Sequence, residues 1–207
     1  MTDLSFLIAP VVAFLVAAGS PGPATLAVAG VAMAYGRGAG LAIGLGLAAG
    51  LAFWGVLTAV GLGAVVLGSP HALLALRLLG GGYLLWLAWV SGKAVFRPGE
   101  PAITPPPHRG LIWRGVLLNL SNPKAALAWA AVIALGLPAG AAPWHLSLIA
   151  AVCSVLGLAV YAAYAIGFAL PPVRRVYAKG RRVVDAALAA LFGYAGLRLI
   201  LTRTESP

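Results

Sequence analysis

The sequence has few acidic residues and a single cysteine. Asp and Glu together number four in 207 residues, and they lie at the termini, in a predicted loop or at the edge of an apolar run. The lone Cys153 excludes a disulfide within the chain and a cysteine-based metal site. Because buried carboxylates are also lacking, the sequence disfavours a divalent metal site, and we predict neither a cofactor nor a resident metal.

Long apolar runs make up most of the chain. Only 9% of its residues are charged and 62% are apolar, a composition typical of integral membrane proteins. We predict an all-α membrane protein, one bundle of six transmembrane helices, at about residues 4–35, 39–67, 71–95, 111–137, 144–170 and 183–201.

The net charge of +10 is concentrated between these runs, and we predict no nucleic-acid binding. Three basic loops, at 36–38, 97–110 and 171–182, fall on one face. By the positive-inside rule they are cytoplasmic, which places both termini of this multi-pass protein outside the cytoplasm.

Two proline-containing motifs interrupt the first and fourth spans: Ser20-Pro21-Gly22-Pro23 and Ser121-Asn122-Pro123-Lys124. Proline inside a helix removes a donor and clashes with the preceding turn, at a cost of about 3 kcal/mol. Such a break is tolerated in a bilayer only where protein or a water-filled cavity satisfies the freed backbone groups. We therefore predict that helices 1 and 4 are broken, with hinges at Pro21, Gly22, Pro23 and Pro123.

The two breaks lie one hundred residues apart, and each opens a group of three spans. Because three is odd, the second group is inverted relative to the first, an arrangement of secondary transporters whose broken helices mark a midplane site. We predict a first repeat at 1–95, a cytoplasmic linker at 96–110 and a second repeat at 111–207.

The residues at the breaks favour binding of a carboxylate. Each restarted half-helix presents free N–H groups, Asn122 is a good N-cap, and Lys124 adds a charge whose place within a span suggests function. The carbonyls of Ala17, Gly19 and Asn119, freed by the prolines, could hold an ammonium group. The predicted substrate-binding residues are Ser20, Gly22, Thr25, Asn119, Asn122, Lys124, Tyr161 and Tyr164, although packing explains the tyrosines equally well.

The remaining ionisable candidates have structural explanations. Asp185 near the start of the sixth span is expected to stabilise a helix N-terminus. His71 and His145 are expected at the external interface. Cys153 is expected to be a buried or lipid-facing small residue.

These motifs resemble those of the LysE/RhtB family of bacterial amino-acid exporters. The resemblance covers nearly the whole chain and rests on 19–23, 36–41, 83–89 and 119–125, with Pro-Gly-Pro and Asn-Pro-Lys-Ala as its most specific elements. It implies a six-helix exporter of amino acids or related metabolites in the bacterial inner (cytoplasmic) membrane, with both termini in the periplasm, driven by the proton gradient. The chain departs from the family in having Ala24 where Asn often stands, and in lacking an acid in the second span.

We therefore predict a secondary active exporter, not an enzyme, with a small amino acid or derivative as substrate and the lipid bilayer as its surroundings. Proton coupling and a homo-oligomer are left open. The alternative is a cation or metal-ion transporter of the same fold. An intramembrane enzyme is less favoured because the available residues, Ser20, Ser121, Ser154, His71 and His145, form no nucleophile motif.

Overall fold

The structure, a computed structural model, describes residues 4–66, 70–96, 105–136 and 142–201, and these residues form helices and no strand. A short 3-10 turn, Ser5–Leu7, precedes eight helices: α1 (Ile8–Gly19), α2 (Pro23–Tyr35), α3 (Arg37–Val66), α4 (Pro70–Val95), α5 (Leu111–Leu120), α6 (Pro123–Gly136), α7 (Pro143–Phe168) and α8 (Pro171–Leu201). Most of the predicted linker lies outside the described residues.

Both predicted helix breaks are confirmed. The chain bends by 51° between α1 and α2 and by 59° between α5 and α6. Among the described residues, four single helices are long and apolar enough to cross a membrane, and each bent pair adds one more span, giving up to six. Pro23 and Pro123 are the first residues of α2 and α6, the helical position in which the missing N–H does no harm.

The sixth span differs from its prediction. The basic segment 171–182, predicted as a loop, is helical and continuous with the rest of α8. Pro171 occupies the favoured first position, and the arginines and lysine that follow are good helix formers. Similarly, only Gly36 forms the predicted 36–38 turn, with a φ of 86° that favours glycine, since α3 already begins at Arg37.

Asp185 therefore lies near the middle of α8, so its predicted place in the first turn of a helix is wrong. Its side chain is buried, and Oδ2 lies 3.4 Å from Arg181 Nε one turn earlier in the same helix. An acid does stand within this helix. Asp185 follows the basic segment 171–182 of α8 and does not cap the helix.

Part of the helix packing follows the pattern that two equivalent halves would give, although among the described residues the α4–α6 contact has no α8–α2 counterpart of comparable extent. Helix α3 contacts α5 and α7, α4 contacts α8 and α6, and α1 contacts α6 and α7. Exchanging the halves, α1 for α5 through α4 for α8, converts the α3–α5 contact into α7–α1 and the α2–α7 contact into α6–α3, and all of these contacts exist. The limits of the halves, 1–95 and 111–207, stay a prediction.

Glycines allow the closest of these contacts. A Cβ placed on Gly46 of α3 would lie 1.9 Å from the Ile112 carbonyl oxygen of α5, and one placed on Gly115 of α5 would lie 2.3 Å from the Ile43 oxygen. Backbone thus meets backbone without room for a methyl group, as the small-residue spacing in the second span predicts. This contact fixes α5, the first arm of the second broken span, against α3.

Candidate functional site

The two broken spans meet at Lys124, the second residue of α6. Its Nζ donates hydrogen bonds to the carbonyl oxygen of Ser20 at 3.0 Å and to Ser20 Oγ at 2.5 Å. Ser20 directly follows α1, so the ammonium group lies at the negative end of that half-helix. One side chain therefore joins the end of the first half-helix of span one to the start of the second half-helix of span four.

Gly22 provides the surface along which this lysine lies. A Cβ at Gly22 would be 3.0 Å from Lys124 Nζ and 3.3 Å from its Cδ. Gly22 itself is extended, with φ −171° and ψ 178°, a conformation open to any residue. The absence of a side chain at this position therefore serves the close approach of Lys124.

The first break is closed by hydrogen bonds from side chains within the break and from α7. The Gly22 N–H donates to Thr25 Oγ1 at 2.9 Å, and Ser20 Oγ donates to the Ala17 carbonyl at 2.8 Å. The Tyr164 hydroxyl reaches the Gly19 carbonyl at 2.6 Å from α7. Each of these groups would otherwise lack an intrahelical partner at a helix end.

The second break is closed by its own cap and by residues of α3 and α4. Asn122 Oδ1 accepts the Lys124 N–H at 3.0 Å, so it caps α6 as its residue type indicates. Trp54 Nε1 donates to the Asn119 carbonyl at 3.2 Å, and the Tyr83 hydroxyl donates to the Lys124 carbonyl at 3.0 Å. With these bonds, the carbonyls of Ala17, Gly19 and Asn119 all have protein donors, and the ammonium of Lys124 rests instead on Ser20.

A small cavity of about 30 Å³ lies between the breaks. Its wall is formed by small or apolar side chains and a few polar ones: Phe14, Ala17, Ala18, Gly22, Ala24, Thr25, Leu51, Asn119, Asn122, Lys124, Ala125, Ala128 and Tyr161. Since one water needs roughly 10–15 Å³ of such space, the cavity has room for two or three waters. It is too small for an amino acid in this conformation.

Six of the eight predicted binding residues line this cavity, namely Gly22, Thr25, Asn119, Asn122, Lys124 and Tyr161. Ser20 contacts the lysine from beside it, whereas Tyr164 binds the Gly19 carbonyl and is not part of the wall. Ser121, the partner of Ser20 in the second motif, is exposed and bonds to the Leu117 carbonyl at 2.7 Å. The structure thus gathers the predicted residues at one place, while their binding of a substrate stays a prediction.

Asn119 has an unusual environment in the cavity wall. Its side chain is fully buried, and Nδ2 donates to the Leu47 carbonyl at 2.6 Å and to the Tyr161 hydroxyl at 3.3 Å. Its Oδ1 is buried with no hydrogen-bond partner among the described residues. Leaving a buried acceptor unsatisfied costs about 1–3 kcal/mol.

Sequence reasoning missed three aromatic residues that hold the site. Trp54 and Tyr83 bind the carbonyls at the second break, and the fully buried Trp129 donates from Nε1 to the Leu51 carbonyl at 2.9 Å. Buried indole and phenol groups need a partner for their polar end. That requirement was readable from the residue types, but the acceptors lie 41 to 78 positions away in sequence.

The other ionisable candidates lie away from the cavity wall. A Cβ placed on Gly92 of α4 would lie 3.9 Å from Ala189 of α8, and Asp185 lies one helical turn beyond Ala189. At 1.5 Å per residue, Gly92 is about 14 Å along the α4 axis from Tyr83, whose hydroxyl bonds to Lys124, and Asp185 is at least as far away. His145 Nδ1 bonds to the Ala142 backbone at the start of α7. The His71 side chain lies outside the described residues, and within those described no three His, Cys, Asp or Glu side chains cluster.

A helical membrane bundle whose two broken spans meet at one lysine has the architecture of a secondary transporter. The LysE type translocator family matches the chain over residues 15–203, and the chain belongs to this family. The resemblance seen in the sequence motifs is thereby confirmed.

Several relatives cover almost the full chain. The threonine efflux protein of Salmonella typhi is 31% identical over 212 residues, covering 98% of this chain and 100% of that protein. The threonine efflux protein of Escherichia coli (strain K12) is 28% identical over 198 residues, covering 91% and 94%. The uncharacterized membrane protein YahN of the same strain is 31% identical over 191 residues, covering 90% and 85%. No solved structure matches the chain.

Proposed function

We propose that this protein is a secondary active exporter that moves amino acids or related small metabolites out of the cytoplasm by alternating access. The observation that carries the proposal is the bond between Lys124 and Ser20 across the two breaks. The threonine efflux relatives support an amino acid as the substrate class. A small uncharged side chain suits the apolar wall of the cavity.

The substrate carboxylate binds at Lys124 and at the first turn of α2. Pro23 has no N–H, and the N–H groups of Ala24 and Thr25 lack intrahelical acceptors, as in any first helical turn. Both residues line the cavity beside Lys124. A carboxylate placed there meets one full positive charge and the positive end of a half-helix.

In this structure, Ser20 is the hydrogen-bond partner of the Lys124 ammonium group. The carbonyl and hydroxyl oxygens of Ser20 both accept hydrogen bonds from the ammonium group. An incoming carboxylate competes with these oxygens, and once it replaces them the first half-helix of span one is no longer tied to span four. Movement at Gly22 and Pro123 then enlarges the cavity toward one face of the membrane.

We further propose that the proton gradient drives export and that the protein resides in the bacterial inner membrane with both termini in the periplasm. The basic residues of 171–182 support this orientation, although they now begin α8 and do not form a loop. Dissipating the proton gradient with an ionophore should stop export. A C-terminal reporter that works only in the cytoplasm should be inactive, and its activity would overturn the orientation.

The direct test compares metabolites in the medium of cells with and without the protein. Expression should raise the external concentration of one or a few amino acids or close derivatives, and Lys124→Ala should abolish the increase at equal protein level. Lys93→Ala is the matched control, because that lysine lies over the Trp89 ring at the end of α4. Full export by Lys124→Ala would refute the role of the lysine, and an unchanged medium would refute amino-acid export itself.

A further inference from the structure

We propose that Asn119 Oδ1 is the acceptor for the substrate's ammonium group, so that the site recognises both charged ends of a neutral α-amino acid. The inference rests on the proposed function and adds to it a second point of recognition. Its basis is a residue that lines the cavity and whose fully buried side chain has one polar atom without a partner among the described residues.

The orientation of the Asn119 amide follows from its neighbours. Its nitrogen lies 2.6 Å from the Leu47 carbonyl oxygen and 3.3 Å from the Tyr161 hydroxyl. Exchanging the nitrogen and oxygen would place two acceptor oxygens 2.6 Å apart at Leu47. The amide is therefore fixed with its nitrogen in the protein network and its oxygen left over.

Other acceptors in the wall are already engaged. Thr25 Oγ1 accepts the Gly22 N–H, and Asn122 Oδ1 accepts the Lys124 N–H. Both bonds close a helix start, and breaking them would undo the caps. The Tyr161 hydroxyl accepts a bond from Asn119 Nδ2, so among the described side-chain acceptors of the lining residues it is Asn119 Oδ1 that has no partner.

An ammonium group is the donor that fits this position. The described residues lining the cavity include no Asp or Glu, so a substrate cation must be met by a neutral oxygen. An amide oxygen accepts a charge-assisted hydrogen bond from an ammonium group. Lys124 takes the carboxylate, and the two points together select a zwitterion over a substrate of net charge.

The same geometry predicts how analogues are ranked. Propanoate has the carboxylate of alanine but no donor for Asn119, so its binding would leave the buried oxygen unpaired. Wild-type protein should prefer alanine by at least about tenfold, the equivalent of one hydrogen bond to a charged group. Threonine should bind as alanine does. The compound 3-hydroxybutanoate keeps a hydroxyl but has no ammonium group, so it should bind as weakly as propanoate.

The experiment measures competition of these four ligands for binding to the purified, full-length protein. Asn119→Ala should reduce the alanine-to-propanoate preference toward one, while Cys153→Ala should keep it, because that buried side chain does not line the cavity. The preference is a ratio within one protein, so a general loss of affinity does not change it.

Three outcomes would overturn the inference. Wild-type protein that binds propanoate as well as alanine has no ammonium subsite, whatever the variants do. An Asn119→Ala variant that keeps the wild-type preference shows that another group accepts the ammonium. A loss confined to threonine and 3-hydroxybutanoate would assign Oδ1 to a side-chain hydroxyl. If no amino acid binds wild-type protein, the proposed function fails as well, which separates the two failures.

Discussion

The two breaks have similar shapes and different chemistry. Their bends are 51° and 59°, and each restarts a helix with proline. The first break offers mainly backbone, at Gly22 and the Ser20 carbonyl, and the second offers Asn122 and the charge of Lys124. Serine is buried at the first break, whereas Ser121 at the second is exposed.

This comparison shows how one backbone design can serve two roles. Repeated breaks create a common cavity, but a site that binds a zwitterion needs different groups for its two ends. The lysine of one half is held by the backbone of the other, so neither half forms the site alone. The following predictions test this division, from the largest expected effect to the smallest.

The arms of the two broken spans should differ in their tolerance of a methyl group. Gly46→Ala forces a Cβ to within 1.9 Å of the Ile112 carbonyl oxygen and should destabilise the protein by about 3 kcal/mol, the upper range for overpacking. The methyl group of Gly157→Ala, on α7, meets the side chains of Phe14 in α1 and Leu51 in α3, and both side chains can shift. It should therefore cost less. Thermal unfolding measures both.

Gly38→Ala is the control for these variants, since nothing lies within 4 Å of the added methyl group. It should leave the unfolding temperature unchanged or slightly raised. Equal losses from Gly46→Ala and Gly157→Ala would show that the two arms are held alike.

Bulk at Gly22 should impair transport more than stability. Gly22→Val pushes against Lys124, whose Nζ and Cδ lie 3.0 and 3.3 Å from the added Cβ. Because the end of a lysine can move, the fold should survive while the ammonium group leaves Ser20. We expect transport to fall by about tenfold, the equivalent of one charge-assisted hydrogen bond.

Initial rates of export measure the effect of Gly22→Val. Gly22→Ala should be intermediate, and Gly19→Ala, with nothing within 4 Å of the new Cβ, should transport normally. Normal transport by Gly22→Val would show that the position of Lys124 against the first break is not needed.

The donors to the freed carbonyls should contribute comparable stability. Tyr164→Phe removes the bond to the Gly19 carbonyl, and Trp54→Phe removes the bond to the Asn119 carbonyl. Each variant should lose about 1 kcal/mol of unfolding free energy, with Trp54→Phe losing more because it also loses ring volume. Chemical denaturation checks the pair, and a neutral Tyr164→Phe would show that the first break does not depend on α7.

The smallest effect should come from the hydroxyl groups at the breaks. Thr25→Val removes the acceptor of the Gly22 N–H and should cost about 1 kcal/mol, as expected for a helix cap. Ser121→Ala should change stability by less than about 0.5 kcal/mol, since the group is exposed. If Ser121→Ala were the more damaging change, the first break would not be the one that depends on its hydroxyl groups.

Local features were the predictable part of this site. Three prolines and a glycine within apolar runs were sufficient to predict the two breaks, and Asn122 before Pro123 was sufficient to predict the cap. Segment 171–182 was misread because its charges suggested a loop, although the same residues are compatible with a helix that continues past the apolar core. The position of Asp185 followed that error.

The contacts across the bundle could not be predicted from sequence. Trp54, Tyr83 and Tyr164 donate to carbonyls at least 41 positions away, and no local pattern encodes such partners. The unpaired oxygen of Asn119 is likewise defined only by what surrounds it. Residue type made these groups candidates, and packing determined their partners.

Lys124, held by the first break, is the residue that we propose binds the substrate carboxylate. Solute counterflow tests this role most directly, using purified protein in liposomes and a labelled amino acid identified in the culture medium. Wild-type protein and Lys93→Met should accumulate the label, whereas folded Lys124→Met should not. Accumulation by Lys124→Met at the wild-type rate would contradict the account.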